Sequence, residues 1–377
     1  MSTVPRLDID ALLDNTSVRT ILCTGAGGVG KTTTAASLAV RAAERGRHVI
    51  VLTIDPAKRL AQSLGVSALG NEPHRVEGIT TGSLHAMQLD MKRTFDEIVE
   101  AHADPDRAAQ ILANPFYQAI SSSFAGTQEY MAMEKLGQLH ERLGDDWDLI
   151  IVDTQPSRSA LDFLDAPKRL GTFLDGRLMR LLAAPARVGG RVGVRIVEAG
   201  FGIFGNVLQR LLGAQIIADI QAFVAAFDTL FSDVRARAER THALLQQPDT
   251  AFIVVSAAED DALREAAFFV ERLKAEHMPL AGLVVNRLVT LPAAGLTAEQ
   301  AITAADALDS EDALTAGLLR VHADRVRMRQ RQERLTRAFI AGHPGVAMTS
   351  VAALPEDVHD LPGLRTVGML MSIGSLI

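Results

Sequence analysis

The stretch GAGGVGKT, Gly25–Thr32, constrains this chain more than any other. It satisfies G-x-x-x-x-G-K-[ST] at every defined position. It follows the apolar run TILCTG and opens the helical pattern Lys31–Arg45. A strand, a glycine loop and a helix in that order form an anion-binding nest at a helix N-terminus. Gly25, Gly27, Gly28 and Gly30 let backbone amides approach phosphates closely. In that reading Lys31 reaches the β- and γ-phosphates, Thr32 places its hydroxyl on Mg2+, and Thr33 donates to the α-phosphate. The whole cradle comprises Gly27, Gly28, Val29, Gly30, Lys31, Thr32 and Thr33.

Such a loop needs a sheet to carry it. TILCTG, HVIVLTID, WDLIIVDT, AFIVVSA and LAGLVVN are near-continuous apolar runs rich in β-branched residues. Strands covered on both faces have this character. Helical patterns separate them, Lys31–Arg45 and Asp261–Ala275 among others. The expected fold is α/β: a doubly wound, mostly parallel sheet with a P-loop core. The core is expected over 15–172 and 248–377, with a helical excursion at about 91–143. An apolar helical subdomain is expected as an insertion at 173–247. Thr315–Ile340 is a long helical pattern carrying seven arginines, interleaved only weakly by Asp324 and Glu333. It is expected to present a solvated face. The apolar tail GMLMSIGSLI is expected to pack as a final helix, with a membrane-seeking role as the alternative.

The 377 residues are 48% hydrophobic and 22% charged, enough for a sizeable core. A net charge of −7 gives no broad electrostatic footprint for nucleic acid, and no nucleic-acid partner is expected. One cysteine, Cys23, sits in a strand-like run. It excludes a disulfide scaffold or CxxC metal site within one chain, and no zinc is expected. The N-terminus has no basic start or apolar core of the signal-peptide kind. Uninterrupted apolar runs stay below the roughly 18–20 residues a transmembrane helix needs. A cytoplasmic protein is expected, with a peripheral place at the membrane left open.

Two carboxylates close strand-like runs: Asp55 in VIVLTID and Asp153 in LIIVD. Ligands of open α/β sheets sit at the carboxyl ends of strands, which places both near the phosphate loop. Asp153 is the candidate to hold Mg2+ through water, and Asp55 the candidate to activate the attacking water. The alternative for either one is a cap of the turn that follows, a role compatible with the chemistry.

GAGGVGKTTTA, TIDPAKRLAQSLG and VDTQPSRSALDFL together resemble the phosphate loop and two switch segments of the arsenite-pump and guided-entry ATPase family. That family lies within the P-loop ATPases with a deviant Walker A motif. VVNR and LPEDVHD look like its adenine-contacting segments, and the resemblance runs from about Thr20 to Leu364. It implies an ATPase, with Asp55 as the water-activating residue and Asp153 coupling nucleotide state to the second switch. It also implies adenine recognition by Asn286 and the Pro355 region. The family usually has a lysine at position 26, reaching the nucleotide of the other subunit in a dimer; here it is Ala26. The resemblance then implies a heterodimer with a paralogue that retains the lysine, with a homodimer as the alternative. The single cysteine disfavours metalloid transport. The insertion is the candidate moving part for an apolar client or envelope component, or else it holds only its own core. Two competing readings are a nucleotide-gated subunit without turnover, and a partitioning or positioning ATPase.

Overall fold

The computed structural model describes residues 5–115, 117–118, 127–155, 236–237, 239–293, 295–308 and 312–374. The insertion expected at 173–247 lies outside them except for 236–237 and 239–247, and so do Pro156 and Ser157 of the second switch-like motif. Contacts divide the chain into two units: Met1–Gln88, Arg142–Ala160 and Leu245–Ile377 form one, Leu89–Glu141 and Leu161–Leu244 the other.

The first unit is built on an eight-stranded sheet in the order β3-β4-β2-β5-β1-β6-β7-β8. The strands are β1 Thr20–Gly25, β2 His48–Thr53, β3 His74–Arg75, β4 Ser83–Gln88, β5 Leu149–Asp153, β6 Thr250–Ala257, β7 Leu280–Leu288 and β8 Met348–Ala352. Only β3 runs antiparallel, against β4. All five strands expected from apolar runs are present, and every residue of β1, β5 and β6 is buried. Three were missed for physical reasons. The short β3 is fully exposed, β4 alternates in burial, and β8 carries polar residues at its edge. β1 lies between β5 and β6, where connections leave in opposite directions across the sheet. That reversal opens the crevice in which such sheets bind ligands.

Helix α1 (Ile9–Asp14) precedes the sheet, α2 (Lys31–Glu44) follows β1, and α3 (Arg59–Ser63) follows β2. The core of α2 is a row of small residues, Ala35, Ala36, Ala39, Ala42 and Ala43, fully buried against the sheet. Small side chains let a helix lie close to the strands and hold its first turn firmly.

The second unit contains α4 (Met91–His102), α5 (Pro105–Ala113) and α6 (Thr127–Glu141). Asp90 and Asp104 cap the first two by accepting from Arg93 and Arg107 amides. Buried Tyr117 donates to Asp96 at 2.6 Å, and Lys135 pairs with Glu97 at 2.7 Å.

The first unit closes with α7 (Asp260–Ala275), α8 (Ala298–Asp306), α9 (Ala313–Gly342) and α10 (Leu361–Ile373). Of the tail, described as far as Gly374, Met371 is buried in the core that contains α2 and Leu370 packs against it, while Met369 and Ile373 are exposed; Leu364 and Val367, earlier on the same helix, are buried in that core too. The arginine face of α9 is more heavily paired than its own sequence suggests. Glu333 accepts from Arg329 and Arg337, while Arg320 and Arg331 pair with Asp306 and Asp260 on other helices. Distant acceptors are invisible to a reading of one helix.

Candidate functional site

The phosphate loop leaves β1 at Gly25, whose φ is +151°; a Cβ there would sit 2.0 Å from the Val255 carbonyl oxygen. It enters α2 through Gly30, a left-handed cap with φ +92°. A Cβ on Gly30 would lie 2.3 Å from the Asn286 amide nitrogen. Both positions require glycine, by conformation and by close approach.

Lys31, Thr32, Thr33, Asp55, Gly28, Gly30 and Asn286 line one cavity of about 880 Å3. Its far wall contains Leu354, Glu356, Asp357, Val358 and His359, the neighbours of Pro355. Gly27 and Val29 instead line a second cavity of about 400 Å3 beside Ala26. Glu259, Asp261 and Glu265 of the α7 region form the acidic side of that smaller space. Gly28 and Arg287 border both cavities.

The Lys31 ammonium is buried and donates to the Ala26 carbonyl at 2.7 Å. Burial holds its pKa below the usual lysine value, against the opposing pull of Asp153 and Asp55. Asp153 is fully buried. Its Oδ2 accepts from the Thr32 hydroxyl at 2.8 Å and from the Thr53 hydroxyl at 2.9 Å. Its Oδ1 has no hydrogen-bond partner among the described residues. Burial pushes the carboxyl up to about 6, although both hydroxyl bonds and Lys31 favour the charged form. A bare buried carboxylate oxygen beside a threonine hydroxyl is the oxygen donor set that suits a hard divalent cation. The residues present therefore fit Mg2+, held through Thr32 with Asp153 behind it.

Asp55 stands two residues past the end of β2, in a turn. Its Oδ1 accepts from the Ala57 amide at 2.9 Å, and its Oδ2 lies 3.7 Å from the Arg59 guanidinium. Gln88 donates to the Asp55 carbonyl at 3.2 Å. The carboxylate is thus capping its own turn while it lines the cavity. Asn286 donates to the Val29 carbonyl at 2.9 Å and accepts from the Arg287 amide at 2.9 Å. Its amide is engaged with the loop itself, a contact that its expected place beside adenine did not foresee. Thr53, Arg59 and Arg287 are functional neighbours the sequence reading missed. Arg59 lay in view, one helical turn after Asp55, and Arg287 is the fourth residue of VVNR. Cys23 is buried in β1, and burial pushes its thiol far above the ordinary range, as suits an inert strand residue.

A family model described as anion-transporting ATPase matches residues 18–296. The match takes in the loop, both aspartates and Asn286, and ends before α9, β8 and Pro355. ATPase get3 of Schizosaccharomyces pombe is 27% identical over 285 residues, 75% of this chain and 78% of the relative. ATPase GET3 of Paracoccidioides lutzii is 26% identical over 280 residues, 74% of this chain and 75% of the relative. ATPase GET3 of Malassezia globosa is 32% identical over a shorter 159 residues, 42% of this chain and 45% of the relative.

Proposed function

The chain belongs to the anion-transporting ATPase family, and from that premise we propose how its residues bind and hydrolyse ATP and what the hydrolysis serves. The observation that carries the reading is the convergence of Lys31, Thr32, Asp55 and Asp153 on one end of the sheet, with the Asp153 Oδ1 left bare. ATP lies along the larger cavity, its phosphates at Gly27–Thr33 and its base toward Asn286 and the Pro355 segment. Lys31 exchanges the Ala26 carbonyl for the β- and γ-phosphates. Thr32, through its hydroxyl, and Asp153, through water, would hold Mg2+. Mg2+, when bound, neutralises charge that develops on the phosphate oxygens. Asp55 orients the attacking water and takes up its proton once its carboxylate leaves the Ala57 amide.

Ala26 lends no charge to a second subunit. The adjoining cavity with its wall of Glu259, Asp261 and Glu265 supports the approach of a cationic partner segment there. The reading is an asymmetric heterodimer with a paralogue that carries the lysine, in which this chain holds the better site. The nucleotide cycle then moves the helical insertion at 173–247 against an apolar client or envelope component, in the cytoplasm. No helix among the described residues is long and apolar enough to cross a membrane.

Single-turnover hydrolysis by the wild-type chain and Asp55→Asn tests the assignment. The variant is expected to bind ATP within about threefold and to hydrolyse it at least a hundredfold more slowly, the scale of general-base contributions. Equal rates would favour a nucleotide-gated subunit without turnover.

A further inference from the structure

Arg287 is one of two residues other than glycine with positive φ among the described residues, at +59°. It lies where the pairing of β7 with β8 loses register, between Val285 and Leu288. Bulges of this kind re-aim a side chain. Gln332 of α9 stitches the irregularity by accepting from the Val289 amide at 2.9 Å and donating to the Arg287 carbonyl at 3.4 Å. The strain is thereby supported from behind. Its effect is to send the Arg287 guanidinium over the phosphate loop, where Nη1 donates to the Gly28 carbonyl at 2.8 Å. Asn286, the preceding residue, donates to the next carbonyl of the loop, that of Val29.

We propose that Arg287 is a positioning residue of the nucleotide site, clamping the phosphate loop together with Asn286. The reasoning follows from peptide geometry. The Gly28 carbonyl shares a planar peptide with the Val29 N–H, and the Val29 carbonyl shares one with the Gly30 N–H. In a trans peptide the two groups point in opposite directions, and the described residues contain no cis peptide. Holding both carbonyls toward Asn286 and Arg287 fixes the planes of both peptides, and with them the direction of the Val29 and Gly30 amides. A guanidinium donor makes the Gly28 bond charge-assisted, so it is stronger than an amide donor would make it. Strained backbone persists where the surroundings over-determine it, often at ligand clamps. Arg287 also borders the cavity beside Ala26, so the clamp holds the loop on the side where the family lysine is missing.

The inference rests on the nucleotide site proposed above, and wild-type affinity separates the two: a chain that binds no nucleotide defeats both, whereas the clamp fails alone in the variants below. Arg287→Gly removes the guanidinium and the left-handed strain together. Glycine's extra chain entropy roughly offsets the strain relief, so the melting temperature of the nucleotide-free chain is expected to hold or rise. ATP and ADP affinity are both expected to fall about tenfold, the low end for a charge-assisted hydrogen bond, with KM raised and kcat little changed. Arg287→Lys, which keeps one cationic donor, is expected to recover part of that loss. Arg287→Asn tolerates the same backbone conformation and serves as the second variant should the glycine chain not fold. Unchanged affinity in either variant would overturn the clamp. A fall in kcat with ADP affinity intact would also overturn it, because it would place Arg287 on the transferring phosphoryl group. A lowered melting temperature with affinity preserved would leave Arg287 a purely structural residue.

Discussion

Asp153→Asn should stabilise the nucleotide-free chain while abolishing its magnesium-dependent ATPase activity. The wild-type carboxyl is fully buried, and burial raises it from 3.8 to about 6. A folded value above the unfolded one means that the folded state holds the proton more tightly. Below about pH 4 the group is protonated in both states and adds no penalty. As pH rises from about 4 to 6 the ionised form carries a growing cost, complete above about pH 6. Two pKa units correspond to about 3 kcal/mol. Asparagine keeps an acceptor for the Thr32 and Thr53 hydroxyls and never ionises. Thermal unfolding without nucleotide at pH 7.5 should therefore place the variant on the order of 5 °C above wild type. The gap should close as pH approaches 4. Mg2+ with ATP should stabilise wild type far more than the variant, reversing their order. A variant no more stable than wild type at pH 7.5, or a gap independent of pH, would refute the reasoning that burial of the charge is the dominant cost.

Gly30→Ala places a methyl group where the Asn286 amide nitrogen stands 2.3 Å from an ideal Cβ, on backbone at φ +92°. It should cost about 1–3 kcal/mol of stability and weaken ATP by at least about tenfold through loss of the Val29 bond, read by denaturant unfolding and nucleotide titration. Ala26→Lys should leave the fold intact, because the neighbouring cavity of about 400 Å3 accepts the side chain. If a lysine from the other subunit is what the site lacks, turnover of the purified chain alone should rise about a hundredfold or more, given the 10³–10⁵ typical of such cationic groups. Unchanged steady-state turnover would count against the heterodimer.

The buried strands and the phosphate loop were legible because their signals are local. A continuous apolar run such as Leu149–Val152 between Asp148 and Asp153 declares a strand covered on both faces, and GAGGVGKT declares its own backbone. The short β3 and edge strand β8 lack such runs. The two aspartates were placed by their position at the carboxyl ends of strand-like runs; Asp55 lines the larger cavity from two residues beyond β2, and Asp153 bonds the Thr32 hydroxyl from the end of β5. The Asn286 contact with Val29 spans 257 positions, and the Arg287 contact with Gly28 spans 259. Arg287 lies where the pairing of β7 with β8 loses register, and a register shift is a property of how two strands pair. Nothing in VVNR states that pairing.

The site holds opposite charges that burial leaves incompletely satisfied. Lys31 is buried enough for its pKa to fall, and Asp153 enough for its pKa to rise, although each counters the other's shift. Their mutual attraction therefore does not cancel the loss of water. The same groups are engaged in bonds that ligand must replace: Lys31 with the Ala26 carbonyl, Thr32 with Asp153, and Asp55 with the Ala57 amide. A triphosphate offers Lys31 the anion that a carbonyl only approximates, and a hydrated divalent cation offers Asp153 Oδ1 the donor it lacks. Binding the two together neutralises both buried charges, whereas binding either alone leaves one uncompensated. Nucleotide and cation should consequently bind with positive coupling. The coupling needs Asp153 ionised and Lys31 protonated, which the shifted values of both groups make strongest in the interval above about pH 6 and below the lowered lysine value.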